Sequence, residues 1–264
     1  MALNKAKVFT ITSVKGGVGK TTTVLNLAGI YSRLGKRVLI IDLDPQANAS
    51  IGIGISRELV NTTTYDLLIS DILASEVIYS EFDTKVHIMP ASIKLDSIAE
   101  NMNNIQNKEL QLYKKLQEVK KEYDYILLDC PPSLGIIIDN ALFASDSILI
   151  PVECEYFAYD ALTQMVNKIN QVQKIKKEHN LNLVIEGVLL TKLDNRNIFG
   201  YKIVDKVKEL FPELTYKTII SRSSHIQEAP MYGKSVLEFA YNSRGSKQYR
   251  ELAVEILNKN MEVL

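Results

Sequence analysis

Residues 13–23, SVKGGVGKTTT, constrain this chain more than any other stretch. Gly16, Gly17 and Gly19 lie too close together for a regular strand or helix. They stand between a β-rich apolar run, KVFTITS, and a helical period in which Val24, Leu27, Ala28 and Tyr31 recur at i, i+3, i+4 and i+7. Gly35 then falls where a helix C-terminus wants glycine. A glycine turn leading from a strand into a helix N-terminus points backbone N–H groups, and the positive end of the helix dipole, at a phosphate. A strand, a phosphate-sized turn and a helix are therefore expected in that order.

The rest of the chain repeats the alternation. KRVLIIDLD, VHIMP, YDYILLD, SILIPV and LVIEGVLLT read as further strands, and their unbroken apolar runs suit a sheet covered on both faces. Leu112, Leu116, Val119 and Tyr123 make one helical stripe; Ala158, Ala161, Leu162, Met165, Val166 and Ile169 make another. The fold class is α/β: a doubly wound, mostly parallel sheet flanked by helices, of the P-loop NTPase type. With 264 residues, 46% of them hydrophobic, and no repeat or Pro/Gly-rich linker, the whole of 1–264 is expected to be a single domain. Residues 51–85 are the least regular, with GIGISRELVNTTT a loop leading into a short helix.

Composition narrows the function. Lys+Arg and Asp+Glu both number 31, so no global field draws the chain to a polyanion, and any such binding needs a local patch. Cys130 and Cys154 lack metal spacing and read as reduced thiols, and His87, His179 and His225 are scattered. Lys5 and Lys7 precede a short apolar run that has no cleavage site. Asp139 and Asp146 interrupt the most membrane-like stretch, SLGIIIDNALFASDSILIPV. A soluble, cytoplasmic protein is expected.

The turn predicts a nucleotide site. Gly16, Gly17, Val18, Gly19 and Thr22 would cradle phosphates, Lys20 would reach the β- and γ-phosphates, and the Thr21 hydroxyl would ligate Mg²⁺. The usual G-x-x-x-x-G-K-[ST] is not met, because its first glycine falls on Val14; K-G-G-V-G-K-T stands instead, with a second lysine, Lys15. Asp129 ends YILLD as the natural Walker-B acid, acting on the metal through water. Asp42 and Asp44, two apart, would lie on one side if their strand continues.

Together KGGVGKTTT, VLIIDLDPQANAS and YILLDCPPSLG resemble the deviant Walker ATPases, specifically the ParA/Soj partitioning group, from residue 6 to about residue 235. The resemblance implies ATP and Mg²⁺ as cofactors and an ATP-state homodimer in which Lys15 crosses the interface to the partner's phosphates. It implies that Asp44 orients the attacking water, that Asp42 lies near the metal shell, and that Gln46, Asn48, Pro131 and Pro132 sense the γ-phosphate. Lys15, Lys20 and Asp44 are the catalytic candidates.

Around the base the pattern departs, with Lys192 and Ser221 where the family has an apolar residue and a proline. The resemblance further implies nonspecific double-stranded DNA as a partner. Arg196 and Arg222 match DNA-contacting positions, Lys202 and Lys206 extend the patch, Lys234 could join it, and His225 stands where a further arginine is common. A ParB-type protein would stimulate slow hydrolysis and release the nucleoid, driving plasmid or chromosome partitioning. The loop begins near residue 14, so no N-terminal helix-turn-helix domain is expected.

The alternative is a membrane-associated positioning ATPase like MinD. In SKQYRELAVEILNKNMEVL, however, Lys247, Arg250 and Lys259 are offset by Glu251, Glu255 and Glu262, so a core-packing helix is expected. Cys130 is followed by Pro-Pro, which sets aside a nitrogenase iron-protein role.

Overall fold

A computed structural model describes residues 6–80 and 85–261; Lys5 and Glu262 lie outside the described residues. The strands are β1 (Lys7–Ile11), β2 (Val38–Asp42), β3 (Tyr79–Ser80), β4 (Val86–Met89), β5 (Tyr125–Asp129), β6 (Ser147–Glu153), β7 (Val184–Leu193) and β8 (Thr215–Ser221). They form one sheet in the order β3-β4-β2-β5-β1-β6-β7-β8. Every pairing is parallel except β3 with β4.

All six apolar runs are strands. β3 and β8 lie outside those runs, because β3 has two residues and β8, at the sheet edge, has no unbroken apolar run. The outer side of β8 is sealed by side chains of the last helix. Glu255 accepts from the Lys217 and Thr218 amides at 2.7 and 3.1 Å, and Gln248 accepts from the Ser221 amide at 3.0 Å. Backbone groups left open on an edge strand would invite pairing with another chain.

The helices are α1 (Lys20–Arg33), α2 (Asn48–Gly52), α3 (Thr64–Ile69), α4 (Ile98–Asn101), α5 (Gln111–Val119), α6 (Ile136–Ala144), α7 (Ala158–Glu178), α8 (Ile198–Leu210), α9 (Ser224–Glu228), α10 (Val236–Phe239) and α11 (Arg244–Met261). Alternate strand residues serve the two faces. Val8, Leu39, Ile41, Ile126 and Leu128 pack with residues of α3, α5, α6 and α7. Phe9, Ile11, Ile40 and Leu127 pack with α1 and α11.

The stripe assigned to α5 runs one residue too far, since that helix ends at Val119 and Tyr123 enters the core from the following turn, bonding His87 Nδ1 through its hydroxyl at 2.8 Å. The expected packing of α11 is seen: Tyr249, Leu252, Ala253 and Ile256 are buried. Among the described residues no helix is long and apolar enough to cross a membrane.

Candidate nucleotide-binding site

The site lies where β1, β2 and β5 end, the edge at which open α/β sheets bind ligands. Between β1 and α1, Gly17 and Gly19 take φ of +75° and +94°, a left-handed backbone that a side chain would strain. Gly19 is the N-cap of α1 and provides no side-chain cap, so the first-turn N–H groups are left for another acceptor.

Three loop carbonyls are tied down. Val18 O accepts from Thr191 Oγ1 at 2.8 Å, Gly19 O from Thr23 Oγ1 at 2.7 Å, and Lys15 O from Lys20 Nζ at 3.1 Å. In a planar trans peptide the N–H points opposite the C=O, so each bond also aims an amide.

Register sets Asp42 beside Asp129 on adjacent strands. Asp129 is fully buried. Its Oδ2 accepts from the Thr21 hydroxyl at 2.7 Å, and its Oδ1 has no hydrogen-bond partner. Burial first, then the neighbouring Asp42, holds the Asp129 carboxyl well above the usual carboxylate range. A buried carboxylate in that condition calls for a cation. The donor set, one hydroxyl and one carboxylate beside a phosphate loop, suits Mg²⁺.

Asp42 has a different duty. Its Oδ2 accepts from Ser50 N and Oγ at 2.9 and 2.8 Å, and its Oδ1 from the Asp44 amide at 3.1 Å. It fastens α2 and the Asp44 turn to β2, and its register position keeps it beside Asp129. Burial pushes its carboxyl up to about 6, against the Ser50 bonds. Asp44 is partly exposed and its Oδ1 accepts from the Gln46 amide at 2.9 Å, which fixes its orientation.

The two lysines differ in surroundings. Lys20 is buried in the loop, where desolvation lowers its pKa despite the pull of Asp129. Lys15, less buried, pairs through its ammonium with Glu155, just past the end of β6. Glu155 and Glu153 are not among the residues the sequence singles out, although two acids two apart at a strand end repeat the spacing of Asp42 and Asp44.

Glu153 gathers the residues around the expected base site. Lys192 Nζ and Arg222 Nη2 lie 3.6 and 3.4 Å from its carboxylate oxygens. Lys192 has a left-handed backbone, φ +53°, and its Nζ is 3.8 Å from where a Cβ on Gly17 would stand. Ser221 is buried against α11, where Gln248 Nε2 donates to its Oγ at 3.0 Å.

Of the DNA candidates, Arg196 and Arg222 come together. Arg196 grips Asp194 through Nε and Nη2 at 3.2 Å each, and Arg222, whose amide bonds Leu193 O at 3.1 Å, turns its guanidinium to Glu153. Lys202 and Lys206 are exposed on α8 while Val204 and Val207 face the core. Lys234 lines a cavity of about 590 Å³ against α1, with Lys85 and Tyr232.

A doubly wound sheet, a glycine loop with two lysines and a buried strand-end acid beneath it define a nucleotide-binding protein of the P-loop class. Residues 6–185 match a family model described as an AAA domain. Over 250 residues the chain is 43% identical to the sporulation initiation inhibitor protein Soj of Bacillus subtilis, covering 95% of this chain and 98% of that protein. It is 35% identical to the chromosome partitioning protein ParA of Myxococcus xanthus, covering 96% of this chain and 89% of that one. The chain belongs to the ParA/Soj family of chromosome-partitioning ATPases.

Among solved structures, cobyrinic acid a,c-diamide synthase of Mycobacterium smegmatis with bound ADP and magnesium superposes with a TM-score of 0.82 at 27% identity, covering 96% of this chain and 94% of that one. A putative plasmid partition protein of Borrelia burgdorferi bound to AMPPNP gives 0.77 at 25% identity, covering 98% of this chain and 100% of that one.

Proposed function

We propose that this chain, as a single ATPase domain, is a Mg-dependent ATP hydrolase whose ATP-bound homodimer binds double-stranded DNA without sequence preference. Slow hydrolysis, stimulated by a ParB-type protein, releases it and drives the partitioning of a plasmid or chromosome. The observation that carries this reading is the unequal placement of the two lysines. Lys20 is sunk in the loop against Lys15 O, while the Lys15 ammonium sits outside it beside Glu155. That difference supports giving Lys20 to the chain's own nucleotide and Lys15, on leaving Glu155, to the nucleotide of a second copy.

Thr21 and Asp129 would hold Mg²⁺, which supplies charge neutralisation on the phosphates when bound. The N–H groups of Gly16, Gly17, Val18, Gly19, Lys20, Thr21 and Thr22 face that charge, and the Lys20 ammonium binds the terminal phosphates. Asp44, oriented by the Gln46 amide, holds the attacking water. Lys15 adds positive charge in trans, as an arginine finger does elsewhere. Asp42 supports this set by holding the Asp44 turn.

Arg196 and Arg222, joined by Lys202 and Lys206, form the DNA surface, and dimerisation doubles it. The apolar face of α11 is packed in the core, which disfavours the membrane-associated alternative. The test is anisotropy of a labelled random-sequence duplex with ATP, with ADP and without nucleotide at low salt. Binding in ATP alone is expected. Equal binding in all three states would reject the switch, and no binding with hydrolysis intact would redirect the search to liposomes.

A further inference from the structure

Tyr249 is buried in α11 and its hydroxyl lies 3.3 Å from Thr23 Oγ1 on α1. Thr23 Oγ1 in turn donates to Gly19 O at 2.7 Å, and the Thr23 amide donates to the same carbonyl at 2.9 Å. The Thr23 hydroxyl has one proton, and Gly19 takes it. Thr23 can then only accept from Tyr249, so the order is fixed: Tyr249 O–H to Thr23 Oγ1, Thr23 O–H to Gly19 O. Burial pushes the Tyr249 hydroxyl up to about 12, so it keeps its proton at neutral pH and can act as the donor. In a buried chain of this kind each hydrogen bond polarises the next.

The Gly19 carbonyl is held at the point where the loop enters α1. It carries the left-handed backbone at the entry to α1, and the amide across its peptide bond belongs to Lys20. Holding Gly19 O along the helix aims the Lys20 N–H out of the N-terminus, toward the phosphate position. A glycine has no side chain to hold this conformation by packing, so the restraint has to come from hydrogen bonds.

We infer that Tyr249, on a helix more than two hundred residues away in sequence, is a positioning residue for the nucleotide loop, acting through Thr23 on the Gly19–Lys20 peptide. The inference rests on the proposed nucleotide site but on neither the DNA nor the dimer reading. Tyr31 offers the matched control. It lies in the same core cluster, its hydroxyl is buried too, and that hydroxyl has no hydrogen-bond partner.

The experiment is titration of the full chain with Mg-ADP, which probes the loop without ATP-driven assembly, alongside thermal melts. Tyr249→Phe is expected to weaken Mg-ADP binding about three- to tenfold, the worth of one hydrogen bond. Tyr31→Phe should leave it unchanged. Thr23→Ser, which keeps the hydroxyl, should bind within about twofold of the parent by the same measure. Tyr249→Phe added to Thr23→Val should cost nothing beyond Thr23→Val alone, because the relay is already cut.

Tyr249→Phe and Tyr31→Phe binding Mg-ADP equally would overturn the inference, whatever their melting temperatures. Additive losses in the double variant would overturn it as well. A parent chain that binds no Mg-ADP would instead reject the nucleotide site, and the relay with it.

Discussion

Thr21 and Asp129 meet at 2.7 Å through the threonine hydroxyl and Asp129 Oδ2, while the other carboxylate oxygen stays buried without a partner. An uncompensated carboxylate of this kind costs stability, and a cation bound beside it repays that cost. Asp129→Asn removes the charge and keeps the shape. The nucleotide-free variant is expected to melt about 2–4 °C higher, the shift that about 1 kcal/mol gives in a chain of this size. Nucleotide binding should at the same time lose its dependence on Mg²⁺. Melting curves and Mg²⁺ titrations of ADP binding check both, and a variant that melts lower would show the carboxylate to be satisfied within the protein.

Lys15→Ala separates the two lysines. It breaks the Glu155 pair but leaves Lys20, which bonds the Lys15 backbone carbonyl and not its side chain. Mg-ADP affinity is expected to stay within about threefold of the parent, since a partly exposed ion pair contributes little to the loop. ATP-dependent dimerisation should be lost. Light scattering with ATP reads the second effect, and an undiminished ATP dimer would remove Lys15 from the interface.

Asp44→Ala leaves the Asp42–Ser50 clasp in place and removes the carboxylate that the Gln46 amide holds. The variant should bind ATP and dimerise, with phosphate release slowed about a hundredfold or more, the scale of a lost general base or water-positioning group. Single-turnover phosphate release measures it. Release at the parent rate would move the water-orienting role to another residue.

Lys176 predicts a pH signature far from the nucleotide site. Its buried ammonium donates to Leu142 O at 3.2 Å, Phe143 O at 3.1 Å and Ser145 O, closing the C-terminus of α6. Burial pulls its pKa down to about 8; Asp146 opposes that shift, and Lys120 adds to it. Between about 8 and its ordinary 10.5 the unfolded chain therefore holds a proton that the folded chain has released. Stability supplied by this residue thus rises with pH across that window, and the cost of burying the charge is felt in full below it. Lys176→Met should lose about 2–4 kcal/mol at pH 7 from the carbonyls left unpaired. Its deficit against the parent should widen from pH 8 to 10; denaturant melts at several pH values give the comparison.

The local order of this molecule was legible in the chain. Apolar runs named six strands, the glycine loop located the turn into α1, and Asp42, Asp44 and Asp129 stood at strand ends because carboxylates are tolerated where a buried strand meets solvent or a ligand. β8 was not legible, since an edge strand covered by a helix needs no continuous apolar run.

What only the tertiary structure decided was how each polar group spends its bonds. Asp42 and Asp129 look alike in sequence, yet Ser50 satisfies one and leaves the other, bonded only by Thr21, in want of a cation. Lys15 finds Glu155, Lys192 finds Glu153 at 3.6 Å, and Gly19 is held by Thr23 with Tyr249 behind it. Periodicity records which face of an element is apolar, and that is a local property of the chain. A hydrogen bond between residues far apart in sequence is fixed only when the sheet brings their strands and helices together.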